Sequence, residues 1–376
     1  MTDGLRPLLQ HFVDIGSIAG AVALVAHGDD VEVAVAGTAE LGGTAPMARD
    51  SIFRIASITK PVLAATALLL IEDGRIGYDD PIARWLPELA SPGVVRTPDG
   101  PLDDLVPARR PITVEDLLTF RAGWGFADDF SWPAVGALFA RGIQQPVNPQ
   151  RVSAPEQWLK DLAEVPLVHQ PGEYWLYNTC SDILGVLLAR AADRPLPELM
   201  AERIFEPLGM SDTGFAVPQD KMDRFTALYS PGGDGLQLTD PPAGQWSSVP
   251  AFPSGAGGLV STLDDYYAFA RTLLPGATGP LSAESVRRMT TDHLTAAQRA
   301  AGRLFLTGQG WGFGGSVDVA ELEPWNVTGR YGWVGGTGTA AHVVPATGSV
   351  TILLSQTSMT SPEPPPLHTA FWAYGA

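Results

Sequence analysis

Apolar and polar positions alternate along residues 20–38. There Ala21 to His27 and Val31 to Val35 flank the turn Gly28-Asp29-Asp30. Alternation at period two on either side of a Gly/Asp turn predicts a β-hairpin. A second hairpin is predicted from Ala340 to Val344 and Val350 to Leu354, across Pro345-Ala346-Thr347-Gly348. Between the hairpins the period lengthens. Val62 to Ile71 is an apolar helical run, residues 154–162 and 180–192 read as helices, and residues 196–205 read as another before Pro207-Leu208-Gly209. Thr113 caps a short helix with Asp116 at its third position. Beyond about residue 230 the pattern reverts to strands and glycine-rich turns, with Gly332 to Gly338 the densest turn, and Leu367 to Tyr374 reads as a terminal helix. Strands at both ends with helices between predict a mixed α+β fold. Residues 1–85 and 230–376 would form a sheet domain, residues 86–229 a mostly helical insertion, with a cleft between them.

Composition narrows the function classes. A length of 376 residues is that of roughly two domains. Lys and Arg total 24 against 41 Asp and Glu, a formal charge of −17. That balance argues against nucleic-acid binding, which needs a concentrated basic surface. Cys180 is the only cysteine, so no internal disulfide forms. The start, Met1-Thr2-Asp3-Gly4, lacks a basic segment followed by an apolar one. Val62 to Ile71 is about half of the ~20 residues needed to span a bilayer. A cytoplasmic protein without membrane contact is expected, its oligomeric state left open.

The chemistry concentrates in Phe53-Arg54-Ile55-Ala56-Ser57-Ile58-Thr59-Lys60-Pro61. A serine and a lysine at i and i+3 share one helix face, where the amine can take the hydroxyl proton. Pro61 is tolerated only in a first turn, so the helix begins near Ser57 and places the hydroxyl at its positive end. The α/β-hydrolase pattern G-x-S-x-G is absent, and the six histidines show no metal-ligand spacing. No metal or cofactor is implied.

That segment resembles the nucleophile motif of the serine β-lactamase and penicillin-binding protein superfamily, and more narrowly that of the class C-related family VIII carboxylesterases. Further blocks are similar in order: Pro111 to Thr119, Pro171 to Gly185, Glu202 to Met210, Gly257 to Thr262, and Gly332-Trp333-Val334-Gly335. The resemblance covers residues 20–356 and implies a β-lactamase/transpeptidase-like fold, an antiparallel sheet flanked by helices. It assigns Ser57 as nucleophile with Lys60 and Tyr177 as its base. Tyr177 is placed by counting back from Gly185: a tyrosine, four residues, then Asp182-Ile183-Leu184-Gly185. A phenol helps there only if nearby positive charge lowers its pKa, a charge Lys60 can supply. By the same analogy the backbone N–H groups of Ser57 and Gly336 form the oxyanion hole.

Where lactamases carry Lys-Thr-Gly, this chain has Trp333-Val334-Gly335. A neutral indole replaces the cation that anchors anionic substrates, which favours uncharged acyl groups; Arg330 is the cation nearby. Trp124, Phe126, Phe130 and Trp132 are candidates to line an acyl pocket. The resulting expectation is a serine carboxylesterase acting on small esters of short neutral acyl groups. An acyltransferase with the same acyl-enzyme stays open. A β-lactamase or D,D-peptidase is disfavoured by Trp333, and a non-catalytic penicillin-recognising protein by intact Ser57, Lys60 and Tyr177.

Overall fold

The structure, a computed structural model, describes residues 4–126, 129–144 and 148–376. Its centre is a seven-stranded antiparallel sheet. In chain order the strands are β1 (Gly20–His27), β2 (Asp30–Gly37), β3 (Gln309–Trp311), β4 (Ser316–Asp318), β5 (Tyr331–Gly335), β6 (Thr339–Val344) and β7 (Ser349–Ser355). They lie in the order β2-β1-β7-β6-β5-β4-β3, so both ends of the chain build one sheet. Both predicted hairpins are present, and they join through β1 and β7 in the register Ala21↔Ser355 to His27↔Ser349.

Both faces of the sheet are covered. Ala21, Ala23, Val25 and Leu353 pack against the helices α1 (Leu5–Asp14) and α5 (Pro366–Tyr374) through Leu5, Leu9, Leu367 and Phe371. Val22, Leu24, Ile352 and Leu354 point the other way, into a core shared with α2 (Thr59–Glu72) and α4 (Leu263–Ala270). Period-two geometry sends alternate residues to the two layers, which is why β1 is apolar at nearly every position. Helix α2 is buried from Thr59 to Leu70 on all sides, as its lack of a polar face requires. The same core continues into the helices Pro155–Ala163 and α3 (Thr179–Ala192). No helix among the described residues is long and apolar enough to cross a membrane.

The structure departs from the sequence pattern in three places. The helix after Leu196 does not stop at Phe205; it passes through a π-helical turn, Ala201–Phe205, and ends at Leu208 with Gly209 at φ 68°. Residues 331–335 of the glycine-dense segment form β5, and only the turn after it is irregular. Residues 263–301, expected as strands and turns, hold α4 and the helices Ala283–Met289 and Ala296–Ala301. Each is started by a hydroxyl at its N-cap: Thr262, Ser282 and Thr295 accept from the N–H groups of Asp265, Ser285 and Gln298. Elements this short are fixed by caps and packing more than by periodicity.

Candidate active site

Ser57 sits on a 3₁₀ turn, Ala56–Ile58, that runs directly into α2. Ala56 before it has φ 45°, a left-handed conformation that costs a non-glycine residue about 1–2 kcal/mol. The strain is held by the far end of the chain. Thr337 Oγ1 donates to Arg54 O at 2.6 Å and Thr339 Oγ1 to Ile55 O at 2.9 Å. Gly335 lets β5 come this close, since a Cβ there would lie 2.5 Å from Ile55 O. The segment bearing Ser57 is thereby fixed beside Gly336.

Lys60 Nζ donates to Ser57 Oγ at 2.8 Å and to Ala256 O at 2.5 Å. The amine is buried, and burial brings it down to about 7, against the Asp182 carboxylate, which acts to raise it. Burial in turn raises Asp182, on α3, while hydrogen bonds from Ser254 Oγ (2.7 Å) and Ala256 N–H (3.0 Å) oppose the shift. Burial thus favours the free amine over the ammonium.

Tyr177 faces the same point. Its ring centroid is 4.8 Å from Lys60 Nζ, and its hydroxyl accepts from Trp333 Nε1 at 2.7 Å. Burial pushes the phenol up to about 12, with hydrogen bonds to Ser57 and Trp333 pulling the other way. The sequence anticipates a lowering by Lys60; instead desolvation dominates, and the opposing pulls come from Ser57 and Trp333. Leu176 points into a separate apolar cluster.

Two cavities meet at this point. One, a cleft of ≈ 670 Å³, is lined by Tyr177, Trp333, Val334 and the aromatic rings of Phe126, Phe130, Phe139 and Phe305. The other, ≈ 360 Å³, is lined by Ile143, Val152, Trp246 and Phe252 beside Asp182 and Ser254. Ser57, Gly336, Gln144, Asn178 and Met359 border both. Phe126 is held at Tyr177 by paired backbone bonds, Tyr177 N–H to Phe126 O at 2.7 Å and the return bond at 3.2 Å. Gly125, at φ 136°, permits the approach, since a Cβ there would meet Tyr177 O at 2.5 Å.

Not every candidate from the sequence reaches the cavities. Trp124 is fully buried, donates to Val165 O at 2.8 Å and belongs to the core. Trp132 packs on His169 and Tyr174. Gly335 lies behind Gly336 as a spacer, and the Trp333 N–H is committed to Tyr177. Arg330 is buried beside Asp318 at 3.6 Å, at the far end of the larger cleft. Sequence reasoning missed Phe139, Phe305, Gln144, Asn178 and the role of Asp182 beside Lys60. Asn178 carried one signal: a residue that tolerates positive φ, next to the motif tyrosine, and here it has φ 84°.

The chain is similar to known proteins over nearly its whole length. The chain is 37% identical over 367 residues to Protein Rv1367c of Mycobacterium tuberculosis, covering 94% of this chain and 90% of that one. It is 30% identical over 368 residues to Esterase EstB of Burkholderia gladioli, covering 91% and 86%. Among solved structures, EstCE1, described as a hydrolase with promiscuous acyltransferase activity, superposes with a TM-score of 0.83 at 26% identity, covering 98% and 96%. The Beta-lactamase family matches residues 5–370, which with the sheet and the helices around it makes this chain a member of that family, with the β-lactamase/transpeptidase-like fold.

Proposed function

We propose that the protein is a serine carboxylesterase that cleaves esters of short neutral acyl groups through an acyl-enzyme on Ser57. The observation that carries this reading is the hydrogen bond of a buried lysine with a lowered pKa to a half-buried serine at a cavity junction. Neutral Lys60 takes the Ser57 proton as Oγ attacks the carbonyl carbon, forming the Oγ–C bond. The carbonyl oxygen, now an oxyanion, is received by the N–H groups of Ser57 and Gly336. Collapse breaks the bond to the alcohol oxygen, which takes a proton from Tyr177, itself resupplied from Lys60. Water then attacks the acyl-enzyme by the reverse proton path. Because Tyr177 lines only the larger cleft, the leaving alcohol belongs there and the acyl group in the ≈ 360 Å³ cavity. The family's esterase member supports the ester assignment.

The test is kcat/KM for p-nitrophenyl butyrate beside nitrocefin. With the Trp333 N–H spent on Tyr177 and Arg330 paired with Asp318, the site lacks the cation that would hold a lactam carboxylate. A charged hydrogen bond of that kind contributes about 1.5–3 kcal/mol, so the ester is expected to lead by about one to two orders of magnitude. Nitrocefin turnover at or above the ester rate would restore the lactamase reading. An acyltransferase reading is favoured by one observation: the cleft that releases an alcohol is large enough to admit a different one, and the similar EstCE1 is a hydrolase with promiscuous acyltransferase activity. Ester-exchange products formed in the presence of an added alcohol would establish it.

A pH profile tests the base. Only the free amine of Lys60 accepts a proton, so kcat/KM rises with pH through a limb at about 7 and then levels. The Asp182 carboxylate favours the ammonium form. Asp182→Asn keeps an oxygen for Ser254 and Ala256 but removes the charge, so the limb moves to lower pH. A limb that stays in place, or moves up, would exclude Lys60 as the titrating base.

A further inference from the structure

The larger cleft does not end at the aromatic rings. It continues along β5 to Arg330, His342 and Trp372, which also line it and are 5%, 4% and 6% exposed. Arg330 immediately precedes β5, three positions before Trp333, about 10 Å along the backbone at ~3.3 Å per residue. His342 lies opposite Gly332 on β6, and Trp372 projects from α5. The three side chains touch. The Arg330 guanidinium is 5.1 Å from the Trp372 ring centroid, and the His342 and Trp372 rings stand at 90° with centroids 5.5 Å apart.

Each of these residues has a buried polar atom with no hydrogen-bond partner: Arg330 Nη2, His342 Nδ1 and Trp372 Nε1. Buried donors without partners are rare because desolvating them is costly. Trp372 touches both of the others, and all three residues border one cleft, where their donors can meet an acceptor oxygen. Burial and Arg330 hold His342 well below its ordinary value, so it is a neutral imidazole that can present Nδ1–H.

Charge decides what kind of oxygen fits. Asp318, buried beside Arg330, already balances its charge and is itself served by Gln309 Nε2 at 2.8 Å and Asn326 Nδ2 at 3.0 Å. Glu323 and Glu363 line the same cleft on exposed segments and repel anions entering it. A carboxylate would therefore be buried as an excess negative charge, whereas a carbonyl would not.

We infer that Arg330, His342 and Trp372 form a subsite for an uncharged carbonyl, carried by the alcohol part of the substrate remote from the ester oxygen. The inference rests on the placement of the leaving alcohol in this cleft. It specifies the substrate as an ester of an alcohol bearing a remote ketone or amide.

The test compares octyl butyrate with 7-oxooctyl butyrate and with 7-carboxyheptyl butyrate. Wild-type kcat/KM for the keto ester is expected to exceed that for the octyl ester by about tenfold, the return on hydrogen bonds to otherwise unpartnered donors. The carboxylate ester should fall below the keto ester. Trp372→Phe, which keeps a ring and deletes one donor, should shrink the keto-to-octyl ratio severalfold, with its thermal melt checked beside wild type. Calorimetric binding of the same esters to Ser57→Ala protein reads the subsite without turnover, and should give the same preference. Equal binding and equal turnover of keto and octyl esters would mean that water serves these atoms, and would overturn the inference. A lead for the carboxylate ester, or a ratio unmoved by Trp372→Phe, would overturn it too. Failure of the esterase reading would look different: no wild-type turnover of p-nitrophenyl butyrate at all.

Discussion

Ser57→Ala is expected to lower kcat/KM for p-nitrophenyl butyrate by about four orders of magnitude or more, because removal of a nucleophile ends the covalent route entirely. Ser57 carries the hydroxyl that receives the Lys60 hydrogen bond and borders both cavities. The deleted oxygen is half-buried and is not part of the apolar core, so the melting temperature should change little. A phosphonate or sulfonyl fluoride should add to Ser57 alone, as read by intact mass and peptide mapping. Activity near wild type in folded Ser57→Ala protein would sink the mechanism.

Lys60→Ala and Tyr177→Phe form the second large expectation. General acid–base catalysis is typically worth about two to four orders of magnitude, and each single variant should lose an amount in that range. In the proposed mechanism Lys60, Ser57 and Tyr177 share one proton within a single connected group, so the double variant should lose little more than the worse single one. Penalties that multiply would show that the two act in separate steps. Tyr177→Phe also leaves the buried Trp333 N–H without its acceptor, at a cost to stability of about 1–3 kcal/mol. Comparing melting temperature with kcat separates that loss from the chemical one. A nearly silent Tyr177→Phe would remove the tyrosine from the relay.

Much of this was legible in the sequence where a local rule was strict. Pro61 can stand only in a first turn, so the start of α2, and with it the position of Ser57, followed from four residues. The hairpins were equally plain, since period-two alternation flanked clear turns. The helices of residues 263–301 were harder, although Thr295 and Gln298 form a capping box that was open to reading. The site's walls were the least legible. Trp124 and Phe126 are two residues apart, yet one is core and the other faces the cleft, and only the backbone pairing of Phe126 with Tyr177 decides between them. Phe305, 128 positions further along the chain, stacks on Tyr177 at 4.7 Å, a contact no local pattern encodes. The Trp333–Tyr177 bond could not be seen either; it ties the Trp333 N–H to Tyr177 while the residue still lines the cleft.

The hold of Thr337 and Thr339 on Arg54 and Ile55 has a consequence for the life of the chain on the ribosome. The turn bearing Ser57 is synthesised early, but the residues that clamp it appear some 280 positions later. Strand β1 likewise waits beside a vacant neighbour position until β7 emerges. Such long-range closure is slow, and the early apolar strands need shelter in the meantime. A nascent or truncated chain therefore carries Ser57 in an unassembled state, so the proposed activity arrives with the last strands, as a certificate that synthesis has run through them.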